Sequence, residues 1–574
     1  MKHPHPCPTC SVCPDAAQPL YSNQAGSLPI WRASARMALV AVASAAAAAV
    51  IATGLVGCAD YSGIAPVATL RDGASVGLST AAAPAFDSAL VKSDWWRDFG
   101  DAQLNGWVDA ALANNPSLKL AQARLGRANA VTEVANAATL PQLNAQVDAT
   151  RQRYTANGAV PPPLAGSVRE SATAQFTASW ELDFFGKNRA ALDAALGSVK
   201  AAQADAQAAS VLLASSVVRS YFGLQRLLVQ TQLAERTLAQ RQATTELVQS
   251  RVRAGLETQL ELRQSETGRL DAKLQLLVLH EQTGLARNAL AALAGLPEGL
   301  GAVQSANAGL NIGSDAKLST NKPQAGVFIS GSAIKNEVNA VKQAFSAAAL
   351  APLPTAIPAD LLGRRADIAA ARWRVEAAGK DVVNAKTQFY PNLNLVAFAG
   401  LSSIGLNRLF ESGSQQWGVG PALRLPIFDA GRLRANLRGK SSDLDAAVES
   451  YNAAVIEAVR DVADQLASLQ AIGRQQTEQR AAQTTALIAY DIGQQRYQAG
   501  LANYLQVLSL ETAVLTQRRL EIDLAARALD TRASLMRALG GGYSLDSTLD
   551  SKNTLNTTKK IAVQVYKKPA LADY

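Results

Sequence analysis

Two stretches of the chain alternate apolar and polar residues with period two. Leu143, Ala145, Val147 and Ala149 alternate with Gln142, Asn144, Gln146 and Asp148. After a loop holding Gly158 and Pro161-Pro162-Pro163, Ala172, Ala174, Phe176, Ala178, Trp180 and Leu182 alternate with Ser171, Thr173, Gln175, Thr177, Ser179 and Glu181. A second pair lies further on: Leu393, Leu395, Ala397 and Ala399 form one face, then Trp417, Val419, Leu423 and Leu425 turn away from Gln416, Gly418 and Arg424, with Gly405 and Gly413 between the two strands. Period two with one polar face predicts two hairpins lying between two solvents. Such strands suit a membrane barrel or a half-buried soluble sandwich. Four strands are too few to close a membrane barrel, whose common minimum is about eight, so a barrel reading requires several chains.

The rest of the pattern is helical. No proline interrupts the chain between Pro163 and Pro297 or between Pro426 and Pro569. Val448, Val455, Val462 and Leu469 recur every seven residues, with Val459 and Leu466 between them, the 4-3 spacing of a coiled coil. A single helix over 188–254 would run roughly 100 Å and needs a partner along its length. The partner is encoded at Ala254-Gly255-Leu256, where glycine suits the left-handed residue closing one helix, and Thr258 with Glu261 forms a capping box opening the next. Returning helices are predicted over about 258–294 and 503–539, stacked with segments over about 103–138 and 364–389. Heptads alone leave a structural coiled coil and a channel wall equally open.

The tip motif is written twice. Gln249, Arg251, Ala254, Gly255, Leu256, Leu260, Glu266 and Thr267 recur as Gln494, Arg496, Ala499, Gly500, Leu501, Leu505, Glu511 and Thr512, and Leu140-Pro141-Gln142-Leu143-Asn144 is answered by Tyr390-Pro391-Asn392-Leu393-Asn394. This is a duplicated helix, hairpin and long helical hairpin unit. The expected division is a leader and signal peptide over 1–57, a lipidated linker over 58–90, a first repeat over 91–296 (hairpin about 141–182, tip 254–258), a linker over 297–360, a second repeat over 361–540 (hairpin about 391–426, tip 499–503) and a tail over 541–574.

The first of these segments carries an address. Arg32 and Arg36 precede an uncharged run from Met37 to Gly57 that ends in Leu55-Val56-Gly57-Cys58, a lipobox, so Cys58 is expected to be the acylated first residue of the exported chain. An uncleaved membrane anchor is the competing reading. Ala59 follows the cysteine, rather than the aspartate that in some bacteria retains lipoproteins at the inner membrane. Cys7, Cys10 and Cys13, near His3 and His5, resemble a metal site but lie upstream of the cleavage point, and His280 has no neighbouring ligand in sequence. The mature chain therefore holds one cysteine and no internal disulfide.

Composition adds little beyond this. The chain has 574 residues, is only 5% aromatic, and its 55 basic and 46 acidic side chains alternate in sign instead of clustering, which argues against nucleic acid as a partner. Gly439-Lys440-Ser441 lacks the earlier glycine of a phosphate loop, since Arg434 occupies that position. No catalytic constellation, metal or cofactor is expected beyond the lipid on Cys58.

In this order the segments resemble the outer membrane factor family that contains TolC, and within it the NodT-like outer-membrane efflux lipoproteins. Local motifs agree: Trp95-Trp96 with Phe99 and Leu104, Asn114-Asn115-Pro116, then Pro358, Asp360-Leu361-Leu362, Arg364-Arg365 with Asp367-Ile368, and Leu425-Pro426-Ile427-Phe428-Asp429 with Gly431-Arg432-Leu433-Arg434-Ala435-Asn436. Ala366 departs from the family's usual proline, and Ala502 from the aspartate some members carry. The resemblance implies a mainly helical fold with a membrane β-barrel part, three chains closing a 12-strand outer-membrane barrel continued by a periplasmic helical barrel. It implies an outer-membrane, lipid-anchored channel that passively conducts substrates from a periplasmic adaptor and an inner-membrane transporter, commonly proton-driven. An exit duct for type I protein secretion and a non-channel periplasmic coiled-coil scaffold are the alternatives. Gln175, Thr177 and Arg424 would line the lumen. Arg251, Ala254, Gly255, Leu256, Arg496, Ala499, Gly500 and Leu501 would form the tips that meet the adaptor, unless the glycines serve only as turn residues.

Overall fold

A computed structural model describes residues 61–71, 92–296 and 361–543. Cys58, the leader cysteines, most of the 58–90 linker, the 297–360 linker and nearly all of the tail lie outside the described residues. A 3-10 turn at Trp95–Phe99 opens the first half, followed by α1 (Ala102–Asn114), α2 (Pro116–Ala137), β1 (Gln142–Arg153), β2 (Val168–Leu182), α3 (Lys187–Arg253) and α4 (Gln259–Leu293). The second half brings α5 (Ala366–Thr387), β3 (Asn392–Ile404), β4 (Gln415–Arg424), α6 (Arg432–Gln498) and α7 (Tyr504–Ala538).

The helices of the two halves match in length. α3 and α6 each have 67 residues, α4 and α7 each 35, and α2 and α5 each 22. At 1.5 Å per residue the long arms extend ~100 Å and the returning ones only ~50 Å. α2 and α5 supply the missing cover, packing along α3, and α5 also packs along α6. At Gly197 on α3 an added Cβ would stand 3.0 Å from that of Ala377 on α5, so this crossing depends on the missing side chain.

The segment expected to stack on the arm over about 103–138 is two helices, parted at Asn115. Asn115 is extended (φ −63°, ψ 126°), its Oδ1 accepts a hydrogen bond from the Ser117 amide at 2.8 Å, and Pro116 occupies the first helical position of α2. Asn caps a helix and Pro fits its first turn, while the same proline disfavours helical backbone just before it. Asn115 Nδ2 also donates to the Leu293 carbonyl at 2.8 Å, holding the end of α4 at the break.

All four strands join one antiparallel sheet in the order β1-β2-β3-β4. The pairing of β2 with β3 unites hairpins from opposite halves of the chain, a contact no local pattern reveals. Its register aligns the apolar row Leu143, Ala178, Ala397 and Val419 on one face, and Gln146, Gln175, Gly400 and Gln416 on the other.

The apolar core sits halfway along α3. Trp95, Trp96 and Phe99 pack there with Leu104, Trp107 and Val108 of α1, Val217, Tyr221, Phe222 and Leu224 of α3, Leu290 of α4 and Leu529 of α7. Tyr221 donates to Asp101 at 2.6 Å, and the other oxygen of Asp101 caps α1 at the Gln103 and Leu104 amides. Buried Arg365 pairs with Asp367 at 2.6 Å and Asp461 at 3.4 Å and donates to the Ala538 carbonyl, tying α5 to α6 and to the end of α7.

Candidate functional site

The sheet turns a bare apolar face outward. Val147, Phe176, Trp417 and Leu423 are 77%, 60%, 79% and 70% exposed, and every residue of β1 is exposed. In water such a surface is costly; facing hydrocarbon it is satisfied. On each strand this face begins with a leucine at the helical end: Leu143, Leu182, Leu393 and Leu423. At the far end it gives way to Arg151, Glu170, Ser403 and Gln415. On β2 the apolar span from Ala172 to Leu182 is roughly 33 Å along the strand and about 25 Å high if tilted by ~40°, the height of a membrane barrel's apolar band. Exposed Phe184, Phe185, Ile427 and Phe428 follow at the helical end, with Phe185 stacked on Tyr390 at 4.9 Å. Aromatic side chains of this kind form girdles at membrane interfaces.

Gln175, Thr177 and Arg424 all stand on the opposite, polar face. Gln416 Nε2 donates to Gln175 Oε1 at 3.1 Å across the intervening Gly400, where an added Cβ would fall 2.6 Å from that of Gln175. Glu181, lower on this face, is neutralised by Lys187 at 2.6 Å.

The segment from Tyr61 to Arg71 is strapped to the outside of α6. The Tyr61 ring meets Phe389 edge-on at 5.5 Å, and its hydroxyl lies 3.3 Å from that of Tyr390, at the foot of the sheet. Asp445 then accepts the Val67 and Ala68 amides at 2.8 Å, and Asn452 holds Thr69 and Arg71. The strap thus starts beside Phe389 and Tyr390 and runs away from the sheet.

At the other end of the long helices the two tips are near copies. Gly255 (φ 71°) and Gly500 (φ 69°) adopt the left-handed conformation, and the Leu256 and Leu501 amides close the turns on the Arg251 and Arg496 carbonyls at 2.9 and 2.8 Å. Leu256 and Leu501 are 69% and 71% exposed, with Ala254 and Ala499 also exposed. The two arginines differ. Arg496 is exposed, but Arg251 bends inward, 3.5 Å from Glu257 and over the ring of Tyr497, whose hydroxyl donates to the same carboxylate. This Arg251, Glu257 and Tyr497 group links the first hairpin to the second. Further up, Arg241 of α3 and Glu511 of α7 form a buried ion pair at 3.1 Å, beside Tyr490 and Tyr504. Burial pushes the Glu511 carboxyl above its ordinary value, partly offset by Arg241 and Arg518. None of Glu257, Tyr497, Arg241 or Glu511 is singled out as functional by the sequence reading. The available signal is where the repeats disagree: Tyr497 stands where the first copy has Val252, and Glu257 where the second has Ala502.

The helices also leave apolar stripes uncovered. Leu270, Leu274, Leu277 and Leu285 of α4, and Ile488 and Ile492 of α6, are all more than half exposed at helical spacing. Among the described residues no group of histidine, cysteine, aspartate and glutamate could hold a metal ion.

Comparison with known proteins fits this geometry. A family model described as outer membrane efflux protein matches residues 107–296 and 357–541. The multidrug resistance outer membrane protein MdtQ of Escherichia coli O6:H1 is 31% identical over 474 residues, covering 81% of this chain and 91% of MdtQ. The fusaric acid resistance protein FusA of Burkholderia cepacia is 37% identical over 356 residues, 61% of this chain and 60% of FusA's length. Among solved structures, the outer membrane protein VceC of Vibrio cholerae is 32% identical, with a TM-score of 0.65 over 79% of this chain and 100% of VceC.

Proposed function

Since the chain belongs to the outer membrane efflux protein family, it serves in efflux across the outer membrane, and we propose that three copies build one passive channel there. The four strands of each copy would close a 12-strand barrel, and the long helices would continue it as a tube through the periplasm. The observation that carries this reading is the open sheet. β1 and β4 are edges whose outward backbone groups pair with no other strand among the described residues, and the face they border is apolar. In lipid each unsatisfied group costs several kcal/mol, so only closure with other copies gives an inserted form. The bare stripes on α4 and α6 supply matching helical surfaces.

The chain carries no motif for an energy source, so direction must come from partners: a periplasmic adaptor and an inner-membrane transporter, commonly proton-driven. The names of MdtQ and FusA favour small organic toxic compounds as cargo over secreted protein. Adaptor docking belongs at the tips, where Leu256 and Leu501 stand free. Replacing both with aspartate should leave the assembly intact, because neither side chain is buried, yet abolish adaptor cross-linking and drug export in cells. Normal export by the membrane-inserted double variant would reduce the tip motif to a turn.

The lipid on Cys58 belongs to the same proposal. Tyr61 is anchored beside the interfacial aromatics, so a thioether lipid a few residues upstream would be tethered at membrane level by about 10 Å of chain. Mass spectrometry of the mature protein should find an N-terminal acylated cysteine; an unmodified N-terminus at another residue would refute it. Cys58→Ser should keep part of the export activity, since the shared barrel holds the membrane by itself.

A further inference from the structure

The outer rim of the sheet carries a basic pair whose position calls for a partner. Arg151 and Arg153 occupy the face of β1 that bears Leu143 and Val147, and Arg151 follows directly after its last apolar residue, Ala149. Both are exposed, and both remain within the β1–β2 ladder, opposite Glu170 and Val168. The hairpin continues beyond them, with the Tyr154 amide donating to the Ser167 carbonyl at 2.9 Å, so the pair is mounted on rigid backbone. Glu170 reaches Arg151 only at 3.7 Å, with Arg151 75% exposed, and among the described residues no carboxylate stands within salt-bridge distance of Arg153.

We propose that Arg151 and Arg153 bind the phosphate groups of lipids in the outer leaflet of the outer membrane. The inference rests on the barrel reading for which face meets lipid. The helices fix the periplasmic side, so the rim at Arg151 and Arg153 lies at the cell surface. An arginine facing lipid is costly at mid-membrane and nearly free at the interface. At the headgroup level it meets phosphate, whose oxygens match the guanidinium fork. Lipids of that leaflet carry their phosphates on a glucosamine disaccharide, bringing two anionic groups to the height of two arginines.

The test uses the purified full-length protein in detergent, incubated with bisphosphorylated lipid A or with its dephosphorylated form of identical acyl chains, and followed by native mass spectrometry. The wild type should retain the phosphorylated form preferentially. The Arg151→Gln/Arg153→Gln variant should lose roughly 30-fold in that retention, about fivefold per basic side chain. Arg169→Gln, at similar height on the polar face, should leave it unchanged. Equal retention of both lipids by the wild type, an equal loss in Arg169→Gln, or displacement of the lipid by millimolar inorganic phosphate would each overturn the proposal. The same spectra count protein copies, so a failure of the trimer registers separately from a failure of lipid preference.

Discussion

Ala178→Arg should nearly empty the outer membrane of this protein, whereas Thr177→Arg, one residue away, should leave its insertion intact. The two positions sit near the middle of β2 on opposite faces. Ala178 pairs with Leu143 and Ala397 in an apolar row, and Thr177 with Asn144 and Phe398 on the polar side. An arginine facing lipid near the midplane costs about 2–4 kcal/mol. In the proposed three-copy barrel that cost would recur three times, ~6–12 kcal/mol per assembly, comparable with the whole stability of an ordinary domain. On the lumen side the same cation remains hydrated. Heat-modifiable trimer on gels of outer-membrane fractions reads the difference. Equal insertion of both variants would mean that the sheet's faces are assigned the wrong way round, or that neither meets lipid.

The second large effect lies in the periplasmic half. Arg241→Met should loosen the helices near the tips, because it leaves Glu511 a buried carboxylate with only the weaker influence of Arg518 to offset its charge and with an Oε1 that already lacks a hydrogen-bond partner. Removing one member of a buried ion pair costs about 3–5 kcal/mol, while replacing both by neutral groups of similar volume is often close to neutral. Arg241→Met/Glu511→Gln should therefore recover most of the loss. The pH dependence has a definite sign. The Glu511 carboxyl titrates above its ordinary value in the folded chain, so its contribution to stability is fully present below the unfolded carboxylate range and is lost as pH rises through the raised value. Without Arg241 that value rises further. Hydrogen exchange at the amides of α7 around Glu511 should be slower at about pH 5 than at about pH 7.5 in Arg241→Met, after correction for intrinsic rates, and the double variant should abolish the difference. A single variant as well protected as the wild type at neutral pH would show that the pair contributes nothing to holding the hairpins together.

Features specified by neighbouring residues are legible in the sequence. The period-two stretches became strands whose apolar faces align, because side-chain alternation is a local property. Ala254-Gly255-Leu256 and its second copy became turns with positive φ at both glycines, and Val448, Val455 and Val462 became buried positions of α6. The outer ends of the strands were harder to read. Arg151 and Arg153 carry β1 further than its apolar alternation does, since backbone pairing does not require apolar side chains. Asn115-Pro116 was visible as a motif, but its meaning as a helix break depended on how cap and proline act together.

Of the interactions distant in sequence, the stacking of α2 and α5 along the long arms was legible from the unequal helix lengths, but the individual pairings were not. Nothing near Thr173 or Ser402 announces that β2 and β3 pair. The tie between Arg251, Glu257 and Tyr497 joins two hairpins, and of the three only Arg251 is repeated, as Arg496, so the identities between the repeats point to the arginine and not to its partners. Glu511 is a repeated residue, aligned with Glu266, yet Glu266 sits near the surface beside Arg263 while Glu511 is buried against Arg241. The same letter in two copies of one unit thus has two environments, set by which neighbouring helix covers it.

The central claim, a passive channel shared by three chains, is tested most directly by adding the purified full-length protein to a planar lipid bilayer with no partner and no energy source. Discrete, uniform conductance steps should come from a species whose mass corresponds to three copies. Insertion of that species without any conductance, or unit steps from single chains, would contradict it.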